Sequence, residues 1–314
     1  MHTNSDLASQ LGERLGGDVD ALRRLSGGAS RETWSFTVGG RPLILQRERA
    51  SAVAVGRMAT EATLLRAAAE AGVPVPAIVH DGSDHDVPFL VVEHLAGETI
   101  PRKLLRDDVF AGVRPLLVDE CGRILAAVHR IPLDRVTGLD DVDQVVQFRQ
   151  VLDMLGDQRP ALELGFRWLD ANRPAPTARA VVHGDFRTGN LLVDRDGVAA
   201  VLDWELAHVG DPLEDLGWFC VRSWRFGSPS PAGGFGPRGD LWRAYEAAGG
   251  VHVDPEAARW WEALGTLKWA IMCFVQCRSH LDGSSRSVEL AAIGRRVCES
   301  ESDLLALVSG EGFP

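Results

Sequence analysis

The stretch His183-Gly184-Asp185-Phe186-Arg187-Thr188-Gly189-Asn190, followed by Val201-Leu202-Asp203-Trp204-Glu205, carries three oxygen-bearing side chains at a spacing that suits chemistry. Asp185 and Asn190 are five residues apart in a glycine-containing loop, and Asp203 lies thirteen residues further on. Between them, Leu191-Leu192-Val193 and Ala199-Ala200-Val201-Leu202 read as short strands joined by the turn Asp194-Arg195-Asp196-Gly197, so a hairpin would fold Asp203 back towards Asn190. Hard oxygen donors of this kind suit Mg²⁺, which takes one or two carboxylates and fills its other positions with water and phosphate oxygens. Phosphoryl transfer is the chemistry implied. Either Asp185 or Asn190 alone is more often a turn residue, so the combination carries the inference.

The elements that must position these groups change in period along the chain. After a polar helical start, Thr33 to Val38 and Pro42 to Arg47 read as strands about the Gly39-Gly40 turn. Met58 to Ala71 has Ala62, Leu65 and Ala69 at helical spacing and stops at Gly72 before Pro74 and Pro76. Ile78 to His80 and Phe89 to Glu93 read as a strand pair. Val118 to Arg130, Val142 to Leu155 and Ala161 to Ala171 read as helices, with Val181-Val182-His183 opening an island of strands. Helices return from Leu213, and Ser223 to Asp240, rich in Gly, Pro and Ser, reads as an extended or mobile loop able to act as a lid. The expected organisation is α+β, with a small β-sheet lobe over residues 1–94 and a larger, mainly helical lobe over 95–314.

Composition narrows the partners. The 314 residues hold 33 Lys and Arg against 44 Asp and Glu, a net charge of −11, which disfavours nucleic acid. No apolar run approaches the roughly 20 residues of a membrane span and the first residues lack a signal-peptide core, so a cytoplasmic protein without a membrane partner is expected. The five cysteines are scattered and read as buried free thiols.

The order Asp, Asn five residues on, then a hairpin and a second Asp resembles the catalytic and metal loops of the protein kinase-like superfamily. The wording H-G-D-x-x-x-x-N, L-D-W-E and G-D-P-x-x-D-L resembles more specifically the aminoglycoside phosphotransferase (APH) family, in the branch related to kinase-like domains of acyl-CoA dehydrogenases. The resemblance runs from about Leu25 to Trp218 and implies a bilobal kinase-like fold. It also implies ATP, or alternatively GTP, and Mg²⁺ as cofactors. On that footing Asp185 is the catalytic base, and Asn190 and Asp203 hold Mg²⁺. Gly27, Gly28 and Ser30 bring backbone N–H groups to phosphate, although a glycine-rich hairpin is a weak signal by itself. Glu61 matches the helix glutamate that pairs an ATP-anchoring lysine. That lysine is missing: Gln46 stands in its place and Arg47 beside it, so the cation is assigned to Arg47, with the register open by one residue. The Glu93 carbonyl and Leu95 N–H are expected to contact adenine.

His183 is expected to pack and hydrogen-bond. Asp211 and Asp215 fit a helix N-cap and first turn, with Asp215 a possible brace for the catalytic loop. The acceptor pocket falls to Leu139–Ala171 and Trp218–Cys277, where Asp140, Asp141, Asp143 and Asp153 suit either a polycation or a solvated face. The leading reading is a phosphotransferase acting on a small-molecule hydroxyl, aminoglycoside-like or another hydroxylated metabolite, as a monomer or homodimer. The competing one is a kinase-like module that binds nucleotide or metabolite without efficient transfer. Too few residues separate Asp203 from Gly210-Asp211-Pro212 for an activation segment that docks a peptide.

Overall fold

The computed structural model describes residues 4–25, 31–48 and 57–311. Helix α1 (Asn4–Leu15) precedes β1 (Val19–Arg24), β2 (Arg31–Val38) and β3 (Arg41–Glu48). Helix α2 (Arg57–Glu70), β4 (Ile78–Gly82) and β5 (Phe89–Glu93) follow. The strands form one antiparallel sheet in the order β1-β2-β3-β5-β4. Gly39 and Gly40, at φ 56° and 79°, make the two-residue turn that pairs Val38 with Arg41.

Strand alternation divides this sheet between two cores. Leu43 and Leu45 of β3 pack with Leu7 and Leu11 of α1, whereas Ile44 packs with the core that contains Met58, Ala62 and Leu65 of α2. The period of two therefore turns Arg47 towards α1 and Gln46 towards α2 and the cleft.

The remaining chain is mainly helical: α3 (Pro101–Arg106), α4 (Leu117–His129), α5 (Gln144–Leu155) and α6 (Pro160–Ala171). Then come the short strands β6 (Ala180–Val182), β7 (Leu191–Val193), β8 (Val198–Val201) and β9 (His208–Gly210). Helices α7 (Leu213–Cys220), α8 (Arg238–Ala247), α9 (Pro255–Leu281), α10 (Val288–Ile293) and α11 (Val297–Ser309) complete the described chain. A five-stranded sheet lobe beside a larger helical part is the α+β, kinase-like arrangement expected from the sequence. Helix α9 is buried from Ala257 to Cys273 except for a few positions, because its neighbours α5, α6, α7 and α11 pack around it.

The segment from Ser223 to Asp240 departs from expectation. Its glycines turn the chain sharply, with Gly233 and Gly234 at φ 57° and 86°, and this lets Ala232 and Phe235 enter the core. The Thr188 hydroxyl donates to the carbonyls of Gly233 at 2.6 Å and Trp224 at 3.3 Å. It is packed against the loop that carries Asp185 and is not an extended segment. Trp218, Trp224, Trp260 and Trp269 are all buried in the core of the helical part.

Candidate active site

Strand β6 leads directly into the loop that carries Asp185. Gly184 has φ 77°, and a Cβ there would collide with the Leu206 carbonyl, so glycine is required on both counts. The buried Asp215 of α7 accepts the backbone N–H groups of His183 at 2.7 Å and Gly184 at 2.9 Å. Burial alone would raise its pKa, but the hydrogen bond and charge of His129 outweigh that and hold it below the ordinary value. Lys268 of α9 donates to the Gly184 carbonyl at 3.0 Å and pairs with Glu214 at 3.3 Å. His183 accepts the Asp185 N–H on Nδ1, which leaves Nε2–H to donate to the Leu202 carbonyl at 3.2 Å. Burial lowers its pKa and keeps the ring neutral, so it ties the loop to the end of β8.

The Asp185 carboxylate is held by three donors. Arg187 Nε reaches Oδ1 and Oδ2 at 3.0 and 3.1 Å, Trp218 Nε1 reaches Oδ1 at 3.0 Å, and Asn190 Nδ2 reaches Oδ2 at 2.7 Å. Three donors on two oxygens fix the carboxylate's orientation.

Zipping β7 to β8 sets Leu191 opposite Val201, and the Leu202 N–H donates to the Asn190 carbonyl at 2.9 Å. The hairpin thus returns Asp203 to the neighbourhood of Asn190 and Asp185. Asp203 sits at φ 64°, a conformation that costs a non-glycine residue about 1–3 kcal/mol and is found mainly at functional sites. Its pKa is pushed up to about 7 by burial first, then by Glu205 and Asp185, while the Arg31 charge opposes the rise. Among the described residues no three His, Cys, Asp or Glu side chains form a ready-made metal cluster. One strained carboxylate in a crowd of like charges, beside a carboxamide, fits a hard cation that draws its remaining ligands from water and phosphate.

On the sheet side, Gly27, Gly28 and Ser30 lie outside the described residues. Glu61 is buried, but its partner is not the one expected. Arg31, at the start of β2, places Nη1 2.5 Å from Glu61 Oε2 and Nε 3.8 Å from Glu205. Arg47 instead pairs with Glu32 at 2.6 Å and lines a cavity with Leu7, Leu11 and Arg14 of α1. The register of β3 explains this correction: Arg47 shares a face with Leu45, so it points away from Glu61. Burial opposes the Arg31 charge, but Glu61 and Glu205 outweigh it and raise its pKa. Glu93 ends β5 and its side chain pairs with Arg41 at 2.8 Å. The Leu95 N–H has no hydrogen-bond partner among the described residues.

Four side chains at the site escaped sequence reading: Arg31, Arg187, Trp218 and Lys268. Arg187 stood inside the motif and was passed over. Lys268 had a quiet signal, being one of only two lysines in the chain, the other Lys103. A cavity of about 260 Å³ adjoins the site, its lining including Arg31, Glu61, Leu139, Phe148, Trp204 and Lys268. Asp141 pairs with Arg179, Asp143 with Arg173 and Asp153 with Arg149, whereas Asp140 lines the cavity.

Solved structures share this fold. A Ralstonia eutropha protein inferred to be an aminoglycoside phosphotransferase superposes with a TM-score of 0.75 at 21% identity, covering 98% of each chain. Macrolide 2'-phosphotransferase MphH of Brachybacterium faecium gives 0.66 at 22% identity, covering 96% of this chain and 98% of that one. At such identities the likeness speaks to the fold. In sequence, acyl-CoA dehydrogenase family member 10 of Mus musculus is 28% identical over 235 residues, 68% of this chain but 21% of that protein. This chain therefore spans about a fifth of that relative's length. Hygromycin-B 4-O-kinase of Escherichia coli is 24% identical over 230 residues, 66% of this chain and 64% of that protein. The model of the phosphotransferase enzyme family, APH, matches residues 21–261, more than half of the chain, and the chain belongs to this family.

Proposed function

We propose that the protein transfers the terminal phosphoryl group of ATP, or alternatively GTP, to a hydroxyl of a small molecule. The observation that carries this reading is the Asp185 carboxylate, fixed by Arg187, Trp218 and Asn190 beside the strained Asp203. In this role Asp185 orients the acceptor hydroxyl and accepts its proton as the oxygen attacks phosphorus. Asn190 and Asp203 are the residues that would hold Mg²⁺, which when bound neutralises charge on the transferring phosphates. Holding the reactants in line accounts for most of the expected acceleration, because phosphoryl transfer asks little covalent chemistry of the protein. Glu93 and Leu95 offer backbone groups for the adenine, with the Leu95 N–H available.

The acceptor is aminoglycoside-like or another hydroxylated metabolite: Asp141, Asp143 and Asp153 are taken up by arginines, whereas Asp140 lines the cavity with Glu61 and Glu205. The test is an ADP-release screen with MgATP over aminoglycosides, sugars, hydroxy acids and hydroxyacyl thioesters, run on wild type and Asp185→Asn together. The accepted compound should stimulate wild type and lose about 10²–10⁴-fold in the variant, the usual worth of a positioned base. Undiminished turnover by Asp185→Asn would refute the assignment.

A further inference from the structure

We propose that Arg31 is the cation that receives the nucleotide's phosphates, in place of a basic residue on the cleft face of β3, with Glu61 holding it. The inference rests on the nucleotide-dependent reading above. On β3 the residue turned towards the cleft is Gln46, which has no charge, while Arg47 is committed to Glu32 on the α1 side. Arg31 follows directly on residues 26–30, the glycine-containing connection from β1, and its side chain is only 12% exposed.

Its donors are divided in a way that leaves room for a ligand. A guanidinium carries five N–H donors in a planar fork. Nη1 is engaged by Glu61 at 2.5 Å, whereas the Nε edge faces Glu205 at 3.8 Å, longer than a hydrogen bond. Arg31 can therefore keep Glu61 on one edge and turn the other to phosphate oxygens. It lines the cavity beside Asp203's neighbours Trp204 and Glu205, the side of the cleft where a phosphate chain near Asn190 and Asp203 would lie. The long contact to Glu205 would be exchanged for charge-assisted hydrogen bonds to phosphate oxygens, with the Glu61 pair retained.

Calorimetric titration with MgATP, and with adenosine in parallel, tests this on wild type, Arg31→Met, Arg31→Lys, Arg47→Met and the double variant Arg31→Met/Gln46→Lys. Arg31→Met should weaken MgATP about 10- to 100-fold, the worth of a charge-assisted contact, and leave adenosine unchanged. Arg31→Lys should recover only part of the affinity, since it keeps the charge and loses the planar fork, and Gln46→Lys should restore most of the affinity lost in Arg31→Met by returning a cation to β3. Equal weakening of adenosine would mean that Arg31 only braces α2, and unchanged MgATP binding, or a loss confined to Arg47→Met, would likewise overturn the proposal. Wild type that binds neither MgATP nor MgGTP would overturn it together with the nucleotide reading, whereas wild type and Arg31→Met binding alike defeats this inference alone.

Discussion

At the scale of single residues, the site is set by a few groups whose partners lie far away in the chain. Lys268 reaches the loop by two routes: its ammonium meets the Gly184 carbonyl, and it sits 4.8 Å from the centre of the Trp218 ring, whose N–H holds Asp185. A cation over an indole strengthens the ring's attraction and draws density from its N–H. Lys268→Met should therefore lower kcat about tenfold, the scale of one lost charge-assisted bond, with little change in KM for ATP. The indole N–H resonance of Trp218, assigned with Trp218→Phe, should move in the same variant. An unchanged kcat and resonance would deny Lys268 a positioning role. Asp185, Asn190 and Asp203 were legible because their spacing is local and the hairpin between them is written in turn residues. Arg31 and Lys268 were not, because ion pairs to Glu61 and contacts to Gly184 arise only when separate elements pack.

At the scale of elements, most strands and helices followed from periodicity, and the exceptions have physical causes. Strand β9 is three residues long and is defined by its pairing with β6, which leaves no pattern of its own to read. The segment before α8 has the composition of a loose loop, yet Thr188 and the Phe235 side chain anchor it. The choice between Gln46 and Arg47 was open until the register of β3 was known, since a shift of one residue exchanges the two faces. Helix α5 shows how local chemistry sets an end: Asp143 accepts the N–H groups of Val145 and Val146 at 2.9 and 3.2 Å and binds Arg173. Asp143→Ala should cost about 1 kcal/mol, typical of a lost N-cap, seen as a lower midpoint in urea. A midpoint equal to wild type would show that the cap is redundant.

At the scale of the whole molecule, buried charge makes stability depend on pH. Burial would lower the His208 pKa, but Glu214 at 3.0 Å reverses that and raises it, while His208 and Lys268 overcome burial to lower Glu214. The His208 contribution is full below its unfolded value near 6.5 and is lost as pH rises through the higher folded value. That of Glu214 is full above 4.5 and is lost as pH falls through its lower folded value. Thermal midpoints should accordingly decline on the alkaline side of 6.5, and His208→Gln should flatten that decline; an equal slope in both proteins would contradict the assignment. The Asp203 carboxyl adds an earlier decline that is spent soon after about 7 and disappears in Asp203→Asn, so the two are separable. The lining of the catalytic loop has a last consequence. Asp215 of α7 and Lys268 of α9 clamp it with their side chains, and its own Thr188 hydroxyl ties it to the carbonyls of Gly233 and Trp224 in the packed 223–236 segment. A loop tied down at three points keeps its shape before any reactant arrives.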